Sequence, residues 1–199
     1  MNSVIKNIIK VIVGLCILVA VAGVYRFNFT NGGDVISSSI VQPDSRSMTY
    51  HIGSDMFVLK NGKAEIEALP GSASKNTLMI FGEPVYGDLD KDGDIDAAVL
   101  LVNTTGGSGV FYYAALVINN GTSSRATQVM FLGDRIAPQT VEIHDGRAVY
   151  NFAERKGTDP MTAQPSIGKS VWVHYNASKN EIGEWVKDFE GESSSSIKK

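Results

Sequence analysis

Aspartate occupies every second position from residue 88 to residue 96, inside the run YGDLDKDGDIDA. The five carboxylates belong to Asp88, Asp90, Asp92, Asp94 and Asp96. Calcium takes six to eight oxygen ligands, and loops that supply them from positions 1, 3, 5, 7 and 9 carry a glycine at position 6 for the sharp turn. Counting from Asp88 places Gly93 at position 6, whereas counting from Asp90 would place Ile95 there. The spacing therefore predicts a structural Ca²⁺ site, in which Asp94 binds through its main-chain carbonyl.

The flanks of this loop distinguish it from a helix-loop-helix calcium hand. Position 12 is Val99 instead of the bidentate glutamate, and the surrounding residues favour β-strands. Over the nine residues 88–96, the loop resembles the integrin-type calcium loops of FG-GAP and dockerin-like repeats. The missing glutamate predicts weak binding, in the ~10⁻⁴–10⁻³ M range of extracellular modules.

Two other interpretations of the loop remain open. The first is an acidic, solvated turn without a metal, although five carboxylates in nine residues repel one another when no cation is present. The second is a magnesium site, although Mg²⁺ loses its water reluctantly and rarely uses a cage made only of protein ligands. Calcium accounts best for the number and the spacing of the carboxylates.

The composition excludes several classes of function. The 199 residues include 18 lysines and arginines against 21 aspartates and glutamates, without a basic stripe, so nucleic acid is not an expected partner. The single cysteine, Cys16, lies in an apolar N-terminal run. The rest of the chain therefore has no disulfide, no thiol nucleophile and no cysteine-based zinc site.

Residues 1–26 form an N-terminal hydrophobic segment. Lys6 and Lys10 precede the uncharged residues 11–25, and Arg26 closes the run. Positive charge before the run predicts that the N-terminus stays in the cytoplasm while the rest of the chain crosses the membrane. The length suits either an uncleaved single-pass anchor or a signal peptide cleaved after Ala22, and a buried helix of a soluble domain is a third interpretation. We expect the protein on the outer side of the cytoplasmic membrane, or secreted or periplasmic after cleavage.

Composition divides the remaining chain into three parts. Residues 27–47 are rich in Asn, Gly, Ser and Asp and predict a flexible linker. Residues 48–190 predict a β-rich extracytoplasmic domain, and residues 191–199, with four consecutive serines, predict a disordered tail. The domain shows no sustained 3.6-residue apolar period, so the expected fold is a single, mainly β, antiparallel domain.

Turn pairs between short β-branched and aromatic runs support this fold class. Asn61-Gly62 predicts a hairpin between residues 57–60 and 63–67, and Asp145-Gly146 predicts one between 141–144 and 147–152. Further strands are predicted at residues 77–81, 97–102, 110–119, 126–132 and 171–175. The runs 97–102 and 110–118 are almost continuously apolar, which predicts central strands covered on both faces.

No group of residues suggests catalysis. Gly106-Gly107-Ser108-Gly109 lacks the Lys-Ser/Thr of a phosphate-binding loop and the order of a nucleophile elbow, so it predicts a turn. The three histidines are widely separated and form no metal-ligand spacing, and Asp134-Arg135 predicts an ion-paired turn. We therefore expect no enzymatic activity and no cofactor other than calcium.

Five segments carry a family resemblance across residues 48–192. They are FGEPVYGDLDKDGDIDA, TTGGSGVFYYAA, FLGDRIAPQT, PSIGKS and DFEGE. They are similar to segments of a group of uncharacterised bacterial exported or membrane-anchored proteins, in which the domain often precedes a META or HslJ-like module, a small β-rich envelope domain. The resemblance implies a bacterial envelope location and a recurrent acidic loop, and it assigns no catalytic residue.

These features favour a non-enzymatic cell-envelope module that calcium stabilises, that the N-terminal segment holds at the membrane, and that binds a protein or glycan partner. Two other functions are compatible with the sequence. One is an envelope hydrolase or transferase with a calcium-shaped cleft, and the other is a structural stalk or adhesin segment.

Overall fold

The computed structural model describes residues 41–160 and 162–185. This part of the chain is mainly β and antiparallel, with one short 3₁₀ helix at Ser45–Ser47. The predicted signal segment, most of the predicted linker and the predicted tail lie outside these residues. Within them, no helix has the length and apolar character needed to cross a membrane.

The described residues form 13 strands of three to ten residues each. They are β1 Thr49–Ile52, β2 Asp55–Val58, β3 Lys63–Glu67, β4 Lys75–Ile80, β5 Val85–Gly87, β6 Asp96–Thr104, β7 Val110–Asn119, β8 Ser124–Ala126, β9 Met130–Asp134, β10 Ala137–His144, β11 Arg147–Glu154, β12 Ile167–Asn176 and β13 Glu181–Glu184.

The strands form three antiparallel sheets. The central sheet has the order β3-β4-β6-β7-β8, with β5 also paired to β6 and β9 also paired to β7. The outer sheet has the order β10-β11-β12-β13, and β1 and β2 form a separate hairpin. Neighbours in sequence are neighbours in space for most of these pairs, as antiparallel hairpins with short turns allow.

The central sheet is buried on both faces. Ala98, Leu100 and Leu116 face one apolar cluster, which they share with the outer sheet. Val99 and Leu101 face a second cluster, which they share with the β1–β2 hairpin. This arrangement confirms the prediction of doubly covered central strands at 97–102 and 110–118. It also explains their continuous apolar sequence, because neither face meets water.

One buried tyrosine connects the outer sheet to the central sheet by hydrogen bonds. Tyr150 is 1% exposed, and its hydroxyl donates to the carbonyls of Val99 at 3.2 Å and Ala115 at 3.0 Å. The predicted turn at Asp145-Gly146 forms as expected, with φ of 50° and 74° between the paired residues His144 and Arg147. Both central positions therefore adopt the left-handed conformation that the Asp-Gly pair tolerates.

Two strand predictions were wrong in detail. The Asn61-Gly62 turn forms with positive φ, but residues 57–60 do not make a hairpin with β3 beyond one bridge between Lys60 and Lys63. Strand β2 pairs with β1 instead. Leu59, which follows β2, is buried, and its amide donates a hydrogen bond to the Met48 carbonyl. The turn forms as predicted, but tertiary burial selects a different partner strand.

The predicted strand 126–132 is two strands. Residues of β8 and β9 pair with successive parts of the same long strand, β7. Between them, the Thr127 hydroxyl accepts a hydrogen bond from the Leu116 amide at 3.1 Å, in place of a strand carbonyl. The short strands β1, β5 and β13 were not predicted, because three or four residues give too little alternation to recognise.

Candidate metal centre

The aspartate loop, residues 88–96, connects β5 to β6. Gly87 pairs with Asp96 across the two strands, so the loop closes an antiparallel hairpin. Leu89 is 3% exposed and anchors the loop in the cluster shared by the central and outer sheets. The loop therefore has strand flanks, as the sequence predicted.

Backbone amides hold the first carboxylates of the loop in place. Asp88 accepts from the Lys91 amide at 2.6 Å with one oxygen and from the Gly93 amide at 3.2 Å with the other. Asp90 accepts from the Asp92 amide at 3.2 Å. Lys91 and Gly93 have φ of 66° and 94°, so the chain curls back around the Asp88 carboxylate. Glycine suits the second of these positions because it has no Cβ.

The last aspartate is the most buried. Asp96 is 0% exposed, and its Oδ2 accepts from the Leu89 amide at 2.7 Å. Its Oδ1 accepts from the amide of Asn119, the last residue of β7, at 2.8 Å. These two hydrogen bonds hold the Asp96 carboxylate to the start of the loop and to the end of β7. Each oxygen keeps further acceptor capacity, so the bonds orient Asp96 without closing it to a cation.

Three of the predicted ligands converge. Asp88, Asp90 and Asp96 each present one carboxylate oxygen, and these oxygens lie within 4.8 Å of one another. Calcium binds oxygen at 2.3–2.6 Å, so two ligands of one ion stand at most about 5 Å apart. The spacing and the all-oxygen chemistry of the three groups therefore fit a single calcium ion.

The other two predicted ligands lie outside this cluster. Asp92 is exposed, and its Oδ1 accepts from the Asp94 amide at 2.8 Å. The Asp94 carboxylate lies beside Gly121, where a Cβ would stand 3.0 Å from Asp94 Oδ2. This position of the side chain is consistent with binding through the main-chain carbonyl, and the roles of both residues stay predictions.

The cluster is an electrostatically costly arrangement on its own. In the part of the chain that the structure describes, no ion pair includes any of the five aspartates. Burial raises the pKa of Asp96, against the opposing effect of the Asn119 and Leu89 amides. Burial also raises the pKa of Asp90, and the charge of Asp96 adds to this rise. A cation among the carboxylates would remove this cost.

Asn119, which the sequence alone did not indicate as a site residue, organises the loop from β7. Its side chain donates to the Val41 carbonyl at 3.0 Å and to the Ile95 carbonyl at 3.3 Å, and accepts from the Gly121 amide at 3.2 Å. Asn119 is only 4% exposed. An Asn-Asn-Gly turn after an apolar strand was a visible signal, but only the pairing of β6 with β7 brings Asn119 within hydrogen-bond distance of Asp96.

A small surface cavity of about 210 Å³ adjoins the loop. Asp90 and Lys91 line it from the loop, Asp145 and Arg147 from the β10–β11 turn, and His174 from β12. The buried Nδ1 atom of His174 has no hydrogen-bond partner among the described residues. The loop therefore borders a cleft with mixed charges.

The other sequence candidates lie away from this cluster. Asp134 and Arg135 form the predicted ion pair at 2.9 Å, and Arg135 has a positive φ of 50°. Gly106 to Gly109 connect β6 to β7. Neither region adds a ligand to the aspartate loop.

Comparison of the chain with protein-family models, with curated proteins and with solved structures finds no match. The assignment of function therefore depends on the chemistry of the residues described above.

Proposed function

We propose that this protein is a non-catalytic module of the bacterial cell envelope whose β domain binds and is stabilised by one calcium ion. The convergence of the Asp88, Asp90 and Asp96 carboxylates within 4.8 Å carries the proposal. The loop register adds the Asp94 carbonyl and the Asp92 side chain as further oxygen ligands. A protein or glycan partner completes the proposed role.

The stabilising effect follows from the position of the loop. A ligand that binds only the native state raises the free energy of unfolding, by about 1.4 kcal/mol when its concentration is ten times Kd. Asp88 and Asp96 come together only when the β5–β6 hairpin has formed and Asn119 lies beside it. Calcium is therefore expected to stabilise the junction of β5, β6 and β7.

The proposed location rests on the N-terminal sequence, which lies outside the described residues. Basic residues before the apolar run 11–25 favour export of the following domain. Weak calcium loops suit the extracellular side, where the free ion is abundant enough to fill them. The two arguments are independent and favour the same side of the membrane.

Thermal unfolding of the full chain tests the calcium role. In millimolar calcium the midpoint is expected to rise by several degrees over the value in chelator, because about 1 kcal/mol moves it by roughly 2–6 °C in a domain of this size. Asp90→Asn keeps the acceptor for the Asp92 amide but removes a charge, so it should abolish most of the shift. Asp159→Asn, an acidic turn residue outside the cluster, is the matched control. An equal midpoint with and without calcium in the wild-type protein would refute the proposal.

The cavity beside the loop supports a second candidate, an envelope hydrolase or transferase with a calcium-shaped cleft. His174 lines this cavity, and its imidazole is the general base that this candidate would use. Turnover of chromogenic ester or glycoside substrates that His174→Ala abolishes would support this function. Turnover that persists unchanged in the variant would exclude His174 as the base.

A further inference from the structure

Both tryptophans of the chain lie on one side of the outer sheet. Trp172 belongs to β12, and the Trp185 amide donates to the Trp172 carbonyl at 2.7 Å, which places the two residues opposite each other. Their ring centroids are 5.6 Å apart, with the planes inclined by 54°. We define the tryptophan face as this side of the outer sheet, formed mainly by Glu142, His144, Arg147, Asn151, Trp172 and Trp185.

Strand alternation determines which residues belong to the face. Val141 and Ile143 of β10 pack against the apolar core, so Glu142 and His144 project from the opposite side. The same alternation applies to β11 and β12, whose inward residues are buried in that core. The tryptophan face is therefore the side of the outer sheet that faces away from the central sheet.

Aromatic rings form one half of the face. The rings of Trp172 and His144 have centroids 5.9 Å apart, and the Arg147 guanidinium stands 4.5 Å from the centroid of Trp185. Val149, which is paired with Trp172 on the same side, is only 3% exposed. Both tryptophans are half-buried, so they cover the sheet beneath them and still present part of each ring to solvent.

A hydrogen-bonded polar network forms the other half. The Asn151 amide donates to Thr140 Oγ1 at 2.8 Å and to Glu142 Oε1 at 3.3 Å, and its oxygen accepts from the Ser170 hydroxyl at 2.5 Å. Glu142 also lies 2.8 Å from His144 Nε2. The network joins β10, β11 and β12 and holds planar polar groups in fixed orientations beside the rings.

We propose that the tryptophan face binds a neutral oligosaccharide chain. A sugar ring has an apolar side, made of C–H groups, which packs on an aromatic ring, and a rim of hydroxyls, which both donate and accept hydrogen bonds. Trp172 and Trp185 supply the first kind of contact. Glu142 and the Asn151 oxygen supply acceptors, because each keeps acceptor capacity beyond the network, and the Arg147 guanidinium supplies donors.

The balance of charge on the face selects an uncharged ligand. The face carries one carboxylate, Glu142, and one guanidinium, Arg147, whose charges offset each other, so there is no large excess of either sign. To bind a nucleic acid or an acidic polymer, a protein surface needs several lysine or arginine side chains that no carboxylate neutralises. The core of a protein–protein interface is mostly apolar, whereas half of this face is a polar network. The inference deepens the proposed function, on which it rests, by naming the partner as a glycan, and it uses none of the five aspartates.

Calorimetric titration of the full chain with cellohexaose, chitohexaose and maltohexaose, at millimolar sugar, tests the proposal. At least one of these neutral probes should bind and change the tryptophan emission. Trp172→Ala should weaken the binding about tenfold or more, as expected for the loss of a central aromatic anchor. Trp172→Phe, which keeps a ring, should weaken it less. Phe131→Ala removes a more exposed aromatic residue from the central sheet and should leave binding unchanged.

Several outcomes would overturn the proposal. These are no binding of any of the three neutral probes, equal binding by Trp172→Ala and the wild-type protein, or binding of an oligogalacturonate but of no neutral probe. Binding that appears only after removal of residues 186–199 would mean that the chain itself covers the face. Self-association that Trp172→Ala abolishes would make the face a contact between two copies.

The calcium proposal and the oligosaccharide proposal can be tested independently of each other. Asp90→Asn should keep its sugar affinity, and Trp172→Ala should keep the calcium-dependent rise in the unfolding midpoint. Asn151→Ala serves as a second variant if Trp172→Ala does not fold, and it should also weaken sugar binding, because it removes the centre of the polar network.

Discussion

The aspartate loop and the tryptophan face differ in whether their charged side chains have partners. In the loop, three carboxylates lie within 4.8 Å of one another, and no ion pair involves them among the described residues. On the face, Glu142 lies 2.8 Å from His144, and Arg147 covers the ring of Trp185. The carboxylates of the loop have no ion-pair partner among the described residues, whereas Glu142 and Arg147 on the face offset each other's charge. We therefore expect the two regions to take different ligands and to respond to different perturbations.

The largest effect is expected at the buried end of the loop. Asp96→Ala leaves the amides of Leu89 and Asn119 without acceptors in a fully buried position. An orphaned buried donor costs about 1–3 kcal/mol, so the loss of two acceptors should lower the free energy of unfolding by roughly 2–6 kcal/mol. Urea unfolding in chelator measures this loss without any contribution from calcium.

Asp94→Ala is the matched control for that measurement. Its carboxylate lies beside Gly121 outside the three-residue cluster, so its removal should change the free energy of unfolding by less than about 0.5 kcal/mol. Equal losses in the two variants would contradict the view that Asp96 is the carboxylate that holds the loop to β7.

A moderate effect is expected at the turn that supports the loop from β7. Gly121 has φ of 77°, and a Cβ there would stand 3.0 Å from Asp94 Oδ2. Gly121→Ala should lower the free energy of unfolding by about 1–2 kcal/mol, because a residue with a Cβ is strained in this conformation. Gly157→Ala, where φ is not positive and no atom of the described residues lies within 4 Å of the new Cβ, is the control and should be nearly neutral.

The double variant Asp94→Ala, Gly121→Ala separates strain from crowding. It removes the carboxylate that the new methyl group would meet but leaves the backbone conformation unchanged. Recovery of a few tenths of a kcal/mol is expected, as for a coupled pair in contact. Full recovery of the wild-type stability in urea unfolding would show that crowding, and not the positive φ, causes the loss.

The smallest effect is expected from the paired charges of the tryptophan face. Hydrogen bonds from His144 and Thr140 hold the pKa of Glu142 below its usual value. A lowered pKa in the folded state gives stability that is present above the usual glutamate pKa and is lost as the pH falls through the folded value. NMR titration should show the lowered pKa, and His144→Ala should return it towards the usual value. An unchanged pKa in this variant would mean that the pair is not formed in solution.

The turn of the loop and the convergence of three of its five aspartates were predictable because the loop is local, whereas the bound calcium ion stays a prediction. Gly93 and the alternating aspartates are close in the chain, and amides of Lys91 and Gly93, three and five residues away, orient the Asp88 carboxylate. The double burial of strands 97–102 and 110–118 was predictable for the same reason, since each strand carries its own apolar pattern. The mainly β, antiparallel fold class followed from such local signals.

The tryptophan face was not predictable, because its residues come from separate strands. Glu142, Asn151 and Ser170 meet only through the register of β10, β11 and β12. Asn119 was missed on the same ground, since nothing near it in sequence indicates that Asp96 lies opposite. The wrong partner for residues 57–60 has a related cause, because the burial of Leu59 outweighs the local turn signal.

Calorimetric titration of the chelator-treated full chain with calcium tests the central claim most directly. We predict one calcium ion per chain, with Kd of the order of 10⁻⁴–10⁻³ M, and loss of the signal in Asp90→Asn but not in Asp159→Asn. A flat titration of the wild-type protein at millimolar calcium would contradict the account and would leave the aspartate loop as a turn without a metal.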